Sequence, residues 1–438
     1  MNGPDQQRLR VGMCGLGAMG RGMVKNLLAA GFEVHGFDIV PSLMERFSKD
    51  GGKAARSPRE VASRVDVLLI IVVNSAQVSS VLFDADTGAV LGLPRNKAII
   101  VSSTVPGAYI REVRERLDID HDRRDIHLLD CPVSGGASGA ADGTLTIFAG
   151  GSDEGMTLVE PVLQAIGKKI YRIRNSSGAN GEIGSGANGK VCHQVIPEIE
   201  IALVAEVMAL AARAGLNTRE VYEYLQAGVA ASWIMRDRIP HALENVDTVR
   251  SAMTNSQKDS CIVVRTAGEL SYPVPLVAAA EQIYQTTVHI GWAGMDDSAL
   301  WRLYLRDFSQ DMVYQQTKSA STGSGSVMCM QDFEDIMVGV HLAAAAESQG
   351  FTRAIGLDAE QMHGIICGAA GWNVQFENYA QRMRKGPWYL REIDGAKQIG
   401  IKLAAAVSKA SSIGAPMLIA ATAVQLYEMQ VGPLAEPR

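Results

Sequence analysis

A glycine-rich segment near the start of the chain constrains the fold more than any other feature. Gly15-Leu16-Gly17-Ala18-Met19-Gly20 follows the apolar run Val11–Cys14 and precedes a helical pattern from Arg21 to Ala30. Strand, glycine turn and helix in this order are the context in which G-x-G-x-x-G binds a dinucleotide. The first glycine permits the tight turn, the second lets the backbone approach a pyrophosphate, and the third lets the helix pack close to the strand. The helix N-terminus offers N–H groups to the phosphates.

The residue after the second predicted strand indicates which dinucleotide is bound. The apolar run Phe32–Phe37 ends at Asp38, where a carboxylate can bind the ribose 2′- and 3′-hydroxyls. Asp38 would repel a 2′-phosphate, and Ile39, Val40 and Pro41 follow it where an arginine would favour that phosphate. The sequence therefore predicts NAD as the cofactor, with NADP as the less favoured alternative.

Further strands alternate with helical patterns up to about residue 180. The predicted strands span residues 65–73, 97–101, 126–130, 145–151 and 169–173. This alternation predicts a Rossmann-type, doubly wound, mostly parallel sheet that includes all of these strands. Strands of such a sheet end at the cofactor crevice, so we also predict cofactor contacts at Val73 and Asn74.

The second half of the chain shows helical periodicity and almost no strand pattern. Residues 201–206 and 214–216 resemble residues 341–347 and 355–357, with a period of roughly 140 residues. We therefore predict two all-α domains that are copies of each other. The predicted boundaries are 1–185 for the Rossmann domain, 186–310 for the first helical domain, 311–327 for a flexible linker and 328–438 for the second, degenerate copy.

Composition excludes several classes of protein. The net charge is −6 without a Lys/Arg cluster, which argues against nucleic acid as a partner. The six cysteines are far apart, and no His/Asp/Glu set has metal-ligand spacing, so we expect reduced thiols and no metal site. The N-terminus has no apolar leader, and charged residues interrupt the alanine-rich stretches. We expect a cytoplasmic protein without membrane spans.

Five motifs together resemble the β-hydroxyacid dehydrogenases, a family that includes 3-hydroxyisobutyrate, tartronate semialdehyde, L-threonate and 6-phosphogluconate dehydrogenases. The motifs are the glycine turn, residues 103–106, residues 130–136 with 143–146, residues 184–190, and Lys258-Asp259. The resemblance covers about residues 10–305. Hydroxyisobutyrate-type members usually have two asparagines just after the lysine, so the sequence Lys190-Val191-Cys192-His193-Gln194 resembles the threonate dehydrogenase type more. The duplicated helical region is similar to that of 6-phosphogluconate dehydrogenase.

The resemblance and the chemistry together single out Lys190. Oxidation of an alcohol by NAD needs a base for the hydroxyl proton, and Lys190 lies at the start of a helix after a glycine-rich turn. The positive end of that helix and a partly dry cleft would lower the pKa of its ammonium group. His193 and Gln194 lie on the same helix face and are predicted to bind the substrate.

The remaining predicted site residues depend mainly on the family. Ser134-Gly135-Gly136 lies at a strand end, where backbone N–H groups can bind an anion, and the resemblance implies that it holds the substrate carboxylate. The resemblance also places Thr104 against the nicotinamide end of the cofactor. Lys258 is predicted to contact cofactor or substrate.

Two departures from the family pattern matter. Pro197 falls inside the helix that begins near Lys190, so we expect that helix to kink or restart. The second copy has Gln331, Glu334, Asp335 and Ile401 at the positions of Lys190, His193, Gln194 and Lys258. It is therefore predicted to be structural. One hypothesis is that it replaces the helical domain that simpler relatives obtain from a dimer partner, and another is that it covers the cleft and narrows the substrate range.

The sequence thus predicts an NAD-dependent enzyme that oxidises a short 3-hydroxyacid, or reduces the matching semialdehyde or ketoacid. Its expected partner is a small carboxylate substrate, and its expected state is a monomer or a homodimer. An imine or ketone reductase of the same superfamily is the enzymatic alternative, although such relatives usually lack the lysine. A non-catalytic dinucleotide-binding scaffold or sensor is the alternative from another class.

Overall fold

The computed structural model describes residues 9–244, 248–305, 327–383 and 389–434. The chain divides into two compact units, Met1–Val191 and Cys192–Arg438. Within the described residues, every strand belongs to the first unit.

The main sheet of the first unit consists of six parallel strands in the spatial order β3-β2-β1-β4-β5-β6. The strands are β1 (Arg10–Cys14), β2 (Glu33–Phe37), β3 (Lys53–Ala54), β4 (Val67–Ile70), β5 (Ala98–Val101) and β6 (His127–Asp130). The order reverses at β1, which has β2 on one side and β4 on the other, and the glycine turn follows β1 at this point. The predicted doubly wound parallel sheet is confirmed.

A second sheet corrects one sequence-based expectation. Its strands are β7 (Val133–Ser134), β8 (Leu145–Ala149) and β9 (Gly167–Arg172), in that order. β7 pairs antiparallel with β8, and β8 pairs parallel with β9. The prediction that the last two strands complete the main sheet was wrong, because an apolar strand pattern does not specify which strand is its neighbour.

Helices cover both faces of the main sheet. They are α1 (Ala18–Ala29), α2 (Pro41–Lys49), α3 (Pro58–Ala62), α4 (Ser75–Phe83), α5 (Gly107–Ile119), α6 (Gly136–Asp142) and α7 (Asp153–Ile166), with a 3-10 turn at Ala89–Leu91. Successive residues of β4 enter different cores: Leu69 packs in one buried cluster, and Leu68 and Ile70 pack in the other. The all-apolar sequence of this strand follows from burial on both faces.

The helical part of the chain contains two sets of five helices that follow one another in the same order. The first set is α8 (Ser185–Arg213), α9 (Thr218–Ala227), α10 (Trp233–Leu243), α11 (Met253–Glu269) and α12 (Pro275–His289). The second set is α13 (Met330–Ala354), α14 (Ala359–Cys367), α15 (Val374–Met383), α16 (Ala396–Ser412) and α17 (Leu418–Val431). The 3-10 helices Asp297–Tyr304 and Leu390–Glu392 complete the described elements. The predicted all-α region is confirmed, and we call the two sets the first and the second copy.

Two sequence-based expectations concern the segments between and within these helices. α8 runs through Pro197 without ending, so the expected restart is wrong. The packing of its buried neighbours stabilises the helix across the missing N–H group. The predicted linker 311–327 lies outside the described residues, except for its last position.

Candidate active site

The three glycines of the turn after β1 are required for different physical reasons. Gly15 has φ of +99°, and a Cβ there would lie 2.1 Å from the carbonyl oxygen of Ile71. A Cβ on Gly20 would lie 2.0 Å from the carbonyl oxygen of Gly15. A Cβ on Gly17 would meet nothing within 4 Å, so its backbone faces open space. Gly17 also begins α1 without a side-chain cap, which leaves the helix N-terminus suited to a phosphate.

Asp38 is held against this turn. One carboxylate oxygen accepts a hydrogen bond from the backbone N–H of Leu16 at 2.7 Å, and the other accepts from that of Val40 at 2.9 Å. The side chain is half-buried, and Ile39 beside it is highly exposed. Glycine turn and acid therefore form one site at the carboxyl ends of β1 and β2.

The predicted contacts after β4 and β5 lie at the same edge of the sheet. Asn74 caps α4, since its side-chain oxygen accepts from the N–H of Gln77 at 3.0 Å. Val73 exposes 60% of its surface. Thr104 is half-buried at the end of β5. Ser103, which belongs to a family motif but received no predicted role, joins the two strand ends by accepting from the N–H of Val72 at 2.8 Å.

The backbone at Ser134-Gly135-Gly136 is open. Ser134 ends β7, and Gly135 and Gly136 have φ of +131° and +64° as they lead into α6. Both glycines are exposed, and a Cβ on Gly136 would meet nothing within 4 Å. The positive φ values therefore favour glycine at both positions, and both residues lie at the surface.

Lys190 is buried and lies over the second sheet. It exposes 6% of its surface, and its Nζ lies 5.9 Å from the centroid of the Phe148 ring on β8. On the same strand, Thr146 is the register partner of Ser134 on β7. The second sheet, which the sequence did not predict, thus carries both the ring next to the candidate lysine, on β8, and the candidate anion-binding turn, at the end of β7.

Asp130 fixes the start of the helix that carries Lys190. Its two carboxylate oxygens accept from the N–H groups of Gly184 at 2.9 Å and Ala187 at 2.6 Å. The side chain is fully buried, and burial raises the pKa of Asp130 to about 7 against the opposing effect of these hydrogen bonds. Sequence reasoning placed Asp130 in a family motif but assigned it no role, because its partners are distant in the chain.

In the second unit, one polar network contains three predicted residues. The Gln194 amide nitrogen donates to Asp259 at 2.7 Å and to Glu198 at 3.1 Å. The Gln194 oxygen lies 3.0 Å from Nδ1 of His193, so that nitrogen is the donor. Nζ of Lys258 lies 2.9 Å from Asp259. Asp259 therefore connects Lys258 to the helix of His193 and Gln194, a role that sequence spacing alone did not indicate.

The described residues contain no group of three or more His, Cys, Asp or Glu side chains that could hold a metal ion. None of the described helices combines the length and the apolar character that crossing a bilayer requires.

The fold and the glycine turn with Asp38 define a Rossmann-type, dinucleotide-binding protein. Residues 10–174 match the family model of the NAD-binding domain of 6-phosphogluconate dehydrogenase. Residues 184–304 match the model described as NAD-binding of NADP-dependent 3-hydroxyisobutyrate dehydrogenase.

Several proteins similar to this chain are hydroxyacid dehydrogenases. The chain is 38% identical to an L-threonate dehydrogenase of Cupriavidus necator over 294 residues, which are 67% of this chain and 95% of the relative. It is 35% identical to the L-threonate dehydrogenase of Escherichia coli over 67% of this chain and 94% of the relative. A crystal structure of a 3-hydroxyisobutyrate dehydrogenase from Salmonella typhimurium superposes with a TM-score of 0.61 at 36% identity, over 68% of this chain and all of that one.

The chain belongs to the β-hydroxyacid dehydrogenase family. It is a dinucleotide-dependent oxidoreductase that acts on CH–OH groups, as the predicted motifs indicated. The relatives above cover 67–68% of this chain, whereas 6-phosphogluconate dehydrogenase of Plasmodium falciparum covers 98% of this chain and 94% of its own. Its TM-score is 0.67 at 14% identity, so that likeness shows the fold of both helical copies and nothing more.

Proposed function

We propose that this enzyme oxidises a short 3-hydroxyacid with NAD, or catalyses the reverse reduction, and that Lys190 is its general acid and base. The observation that carries the proposal is the burial of Lys190 against the sheet whose first strand ends at Ser134. An amine in that position can exchange a proton with a substrate whose carboxylate is bound at the following turn.

The residues around the glycine turn fit NAD. The open backbone at Gly17 and the uncapped start of α1 suit a pyrophosphate, and the oriented carboxylate of Asp38 suits the two ribose hydroxyls. The same carboxylate disfavours a 2′-phosphate. When bound, the cofactor supplies the hydride acceptor for oxidation.

The chain's own residues then have three tasks. The N–H groups of Ser134, Gly135 and Gly136 bind the substrate carboxylate and orient the alcohol carbon. Lys190 takes the hydroxyl proton while the carbon loses a hydride, so the C–H electron pair leaves as a carbonyl forms. In the reverse direction, Lys190 returns the proton to the oxygen. The family resemblance implies that His193 and Gln194, one helical turn after Lys190, contact the same substrate.

The test is a substrate panel with both cofactors, applied to the full-length enzyme. It contains L-threonate, 3-hydroxyisobutyrate, glycerate and 3-hydroxypropionate, succinic and tartronate semialdehydes for the reverse reaction, and a cyclic imine. We expect turnover of at least one acid with NAD, and a kcat that Lys190→Met lowers by about a thousandfold with NADH binding retained. Lys168→Met, at an exposed lysine of the same unit, is the matched control and should leave kcat unchanged.

Other outcomes would overturn parts of the proposal. A higher kcat/KM with NADP would contradict the role of Asp38, and imine reduction without acid turnover would favour the reductase alternative. NADH binding without turnover of any compound would favour the non-catalytic alternative. Equal activity of Lys190→Met and the control would remove the lysine from the mechanism.

A further inference from the structure

Equivalent residues of the two helical copies make equivalent contacts with the opposite copy. Glu206 on α8 aligns with Glu347 on α13, since both end the repeated alanine-rich segment. Equivalent positions in the two copies can therefore be compared contact by contact.

Each copy extends a buried glutamate to the N-terminus of the last helix of the other copy. The carboxyl group of Glu206 accepts from the N–H groups of Ile419 at 2.9 Å and Ala420 at 3.4 Å, at the start of α17. Glu347 accepts from those of Leu276 at 2.9 Å and Val277 at 3.0 Å, at the start of α12. The acceptors are equivalent residues, and so are the donors, so the exchange is reciprocal.

A second reciprocal contact joins the loops before α10 and α15. The N–H of Trp233 donates to the carbonyl oxygen of Trp372 at 2.9 Å, and that of Val374 donates to the carbonyl oxygen of Ala231 at 3.1 Å. Ser232 and Asn373, the equivalent residues between them, face each other in an antiparallel bridge. Paired contacts of this kind are the mark of an isologous interface, in which one surface meets its own equivalent.

At the centre of this interface the two copies differ. Glu200 and His341 occupy equivalent positions on α8 and α13, and Oε1 of Glu200 lies 3.1 Å from Nε2 of His341 with each side chain only 1% exposed. The same Oε1 accepts from the side-chain amide of Asn373 at 2.7 Å, whereas the first copy has Ser232 at that position. The second copy thus supplies both His341 and Asn373 as the partners of Glu200.

This difference decides which copies can pair. Two first copies would place two Glu200 side chains together in a dry interface with serine in place of the amide, and burying two acids side by side is unfavourable. Two second copies would bring two His341 side chains together without a carboxyl group. Only a first copy with a second copy gives the buried acid its partners, and a single buried polar group of this kind can specify a pairing.

We infer that Glu200, His341 and Asn373 select the pairing of the first copy with the second copy over the pairing of like copies. The interaction surface of each copy is consumed within one chain. The protein therefore needs no second chain at this face.

An exchange of the central residues tests the selection. His341→Glu in the full-length chain places an acid opposite Glu200 and should lower the melting temperature by about 10 °C. Glu200→His should act in the same direction. The complete exchange, with Glu200→His, His341→Glu, Ser232→Asn and Asn373→Ser, restores the pairing in mirrored form and should recover more than half of the loss. An exchange variant no more stable than the sum of its parts would overturn the selection.

A cut chain tests the pairing without destabilising substitutions. A protease site flanked by glycines is inserted between Ser321 and Thr322 of the full-length protein, and the purified protein is cleaved to completion. We expect the two fragments to elute together in a 1:1 ratio, with the same mass as the uncut protein by light scattering. Separation of the fragments, or elution of either as a pair with itself, would overturn the inference.

Discussion

The two helical copies share their helix order and their interface contacts, yet they differ at the positions that bear on chemistry. In the first copy Gln194 is buried in the network of His193, Asp259 and Glu198. In the second copy Gln331 is exposed and its amide nitrogen donates to Glu334 and Asp335 at 3.0 Å each. One copy has kept a buried polar network and the other a surface cluster. The difference shows that two copies of one scaffold can carry different polar residues at equivalent positions while both keep the contacts that hold them together.

The largest difference in kcat/KM is expected between a substitution of Gln194 and the same substitution of Asp335, its equivalent in the second copy. Gln194→Leu removes an amide donor from two buried carboxylates, so kcat/KM for the hydroxyacid should fall by about a hundredfold. Asp335→Leu is the matched substitution in the second copy and should change kcat/KM less than twofold. Steady-state kinetics on both variants provide the comparison, with circular dichroism to verify folding. Similar losses in the two variants would mean that the second copy also serves the reaction.

The next effect concerns the cofactor, whose predicted glycine turn and Asp38 lie in the first unit. Asp38→Ala removes the carboxylate that is held by the N–H of Leu16, and the KM for NAD should rise by about thirtyfold. Asp120→Ala, at an exposed acid in the same unit, is the control. Introducing the missing lysine into the second copy with Ile401→Lys should leave this KM unchanged. An Asp38→Ala enzyme with an unaltered KM for NAD would contradict the assigned ribose contact.

A smaller effect is expected in the pH dependence of stability, to which Glu206 and Glu347 should contribute over different pH ranges. Burial raises the pKa of Glu206 to about 8 and that of Glu347 to about 7, both above the value of about 4.3 in an unfolded chain. The folded protein therefore keeps these protons after the unfolded chain has lost them, and the free energy of unfolding falls as pH rises through this window.

Thermal unfolding between pH 5 and pH 8.5 tests this expectation. Glu206→Gln and Glu347→Gln carry neutral side chains of the same shape, so their melting temperatures should fall less steeply with pH than that of the wild type. The slope of melting temperature against pH should differ from that of the wild type up to about pH 8 for Glu206→Gln and up to about pH 7 for Glu347→Gln. Parallel pH profiles for all three proteins would contradict the shifted pKa values.

The smallest effect should come from the surface cluster of the second copy. The triple variant Gln331→Ala, Glu334→Ala, Asp335→Ala removes hydrogen bonds that are exposed to water, and we expect a change of less than about 0.5 kcal/mol in the free energy of unfolding. Urea unfolding measures this, and kcat should remain at the wild-type value. A large loss of stability would show that the cluster is part of the fold and not a remnant.

Local sequence patterns predicted the first part of the site because its contacts are local. The glycine turn and the strands that flank it lie within thirty residues, and the cap of α3 is equally local, since Ser57 accepts from the N–H of Glu60 three residues later. The all-apolar pattern of β4 predicted a buried parallel strand in the same way.

The missed features depend on pairings between distant residues. The second sheet required knowing that β8 pairs with β7 and not with the main sheet, and strand patterns carry no such information. Asp130 accepts from N–H groups more than fifty residues away, and Gln194 on α8 donates to Asp259 on α11. The alignment of the two copies predicted that Glu206 and Glu347 are equivalent, but only the structure pairs each with the other copy's last helix.

The contacts of Glu206 also mean that the helical unit can finish folding only after the last helix of the second copy has been synthesised. Glu206 precedes its partner Ile419 by 213 residues, so the first copy leaves the ribosome with a buried acid whose N–H donors do not yet exist. Contacts of such long range slow folding, because a long loop must close before they stabilise anything. A message truncated before the codon for residue 419 therefore leaves the codons of the Rossmann domain and the first copy intact and still yields a helical unit that lacks the N–H donors for Glu206.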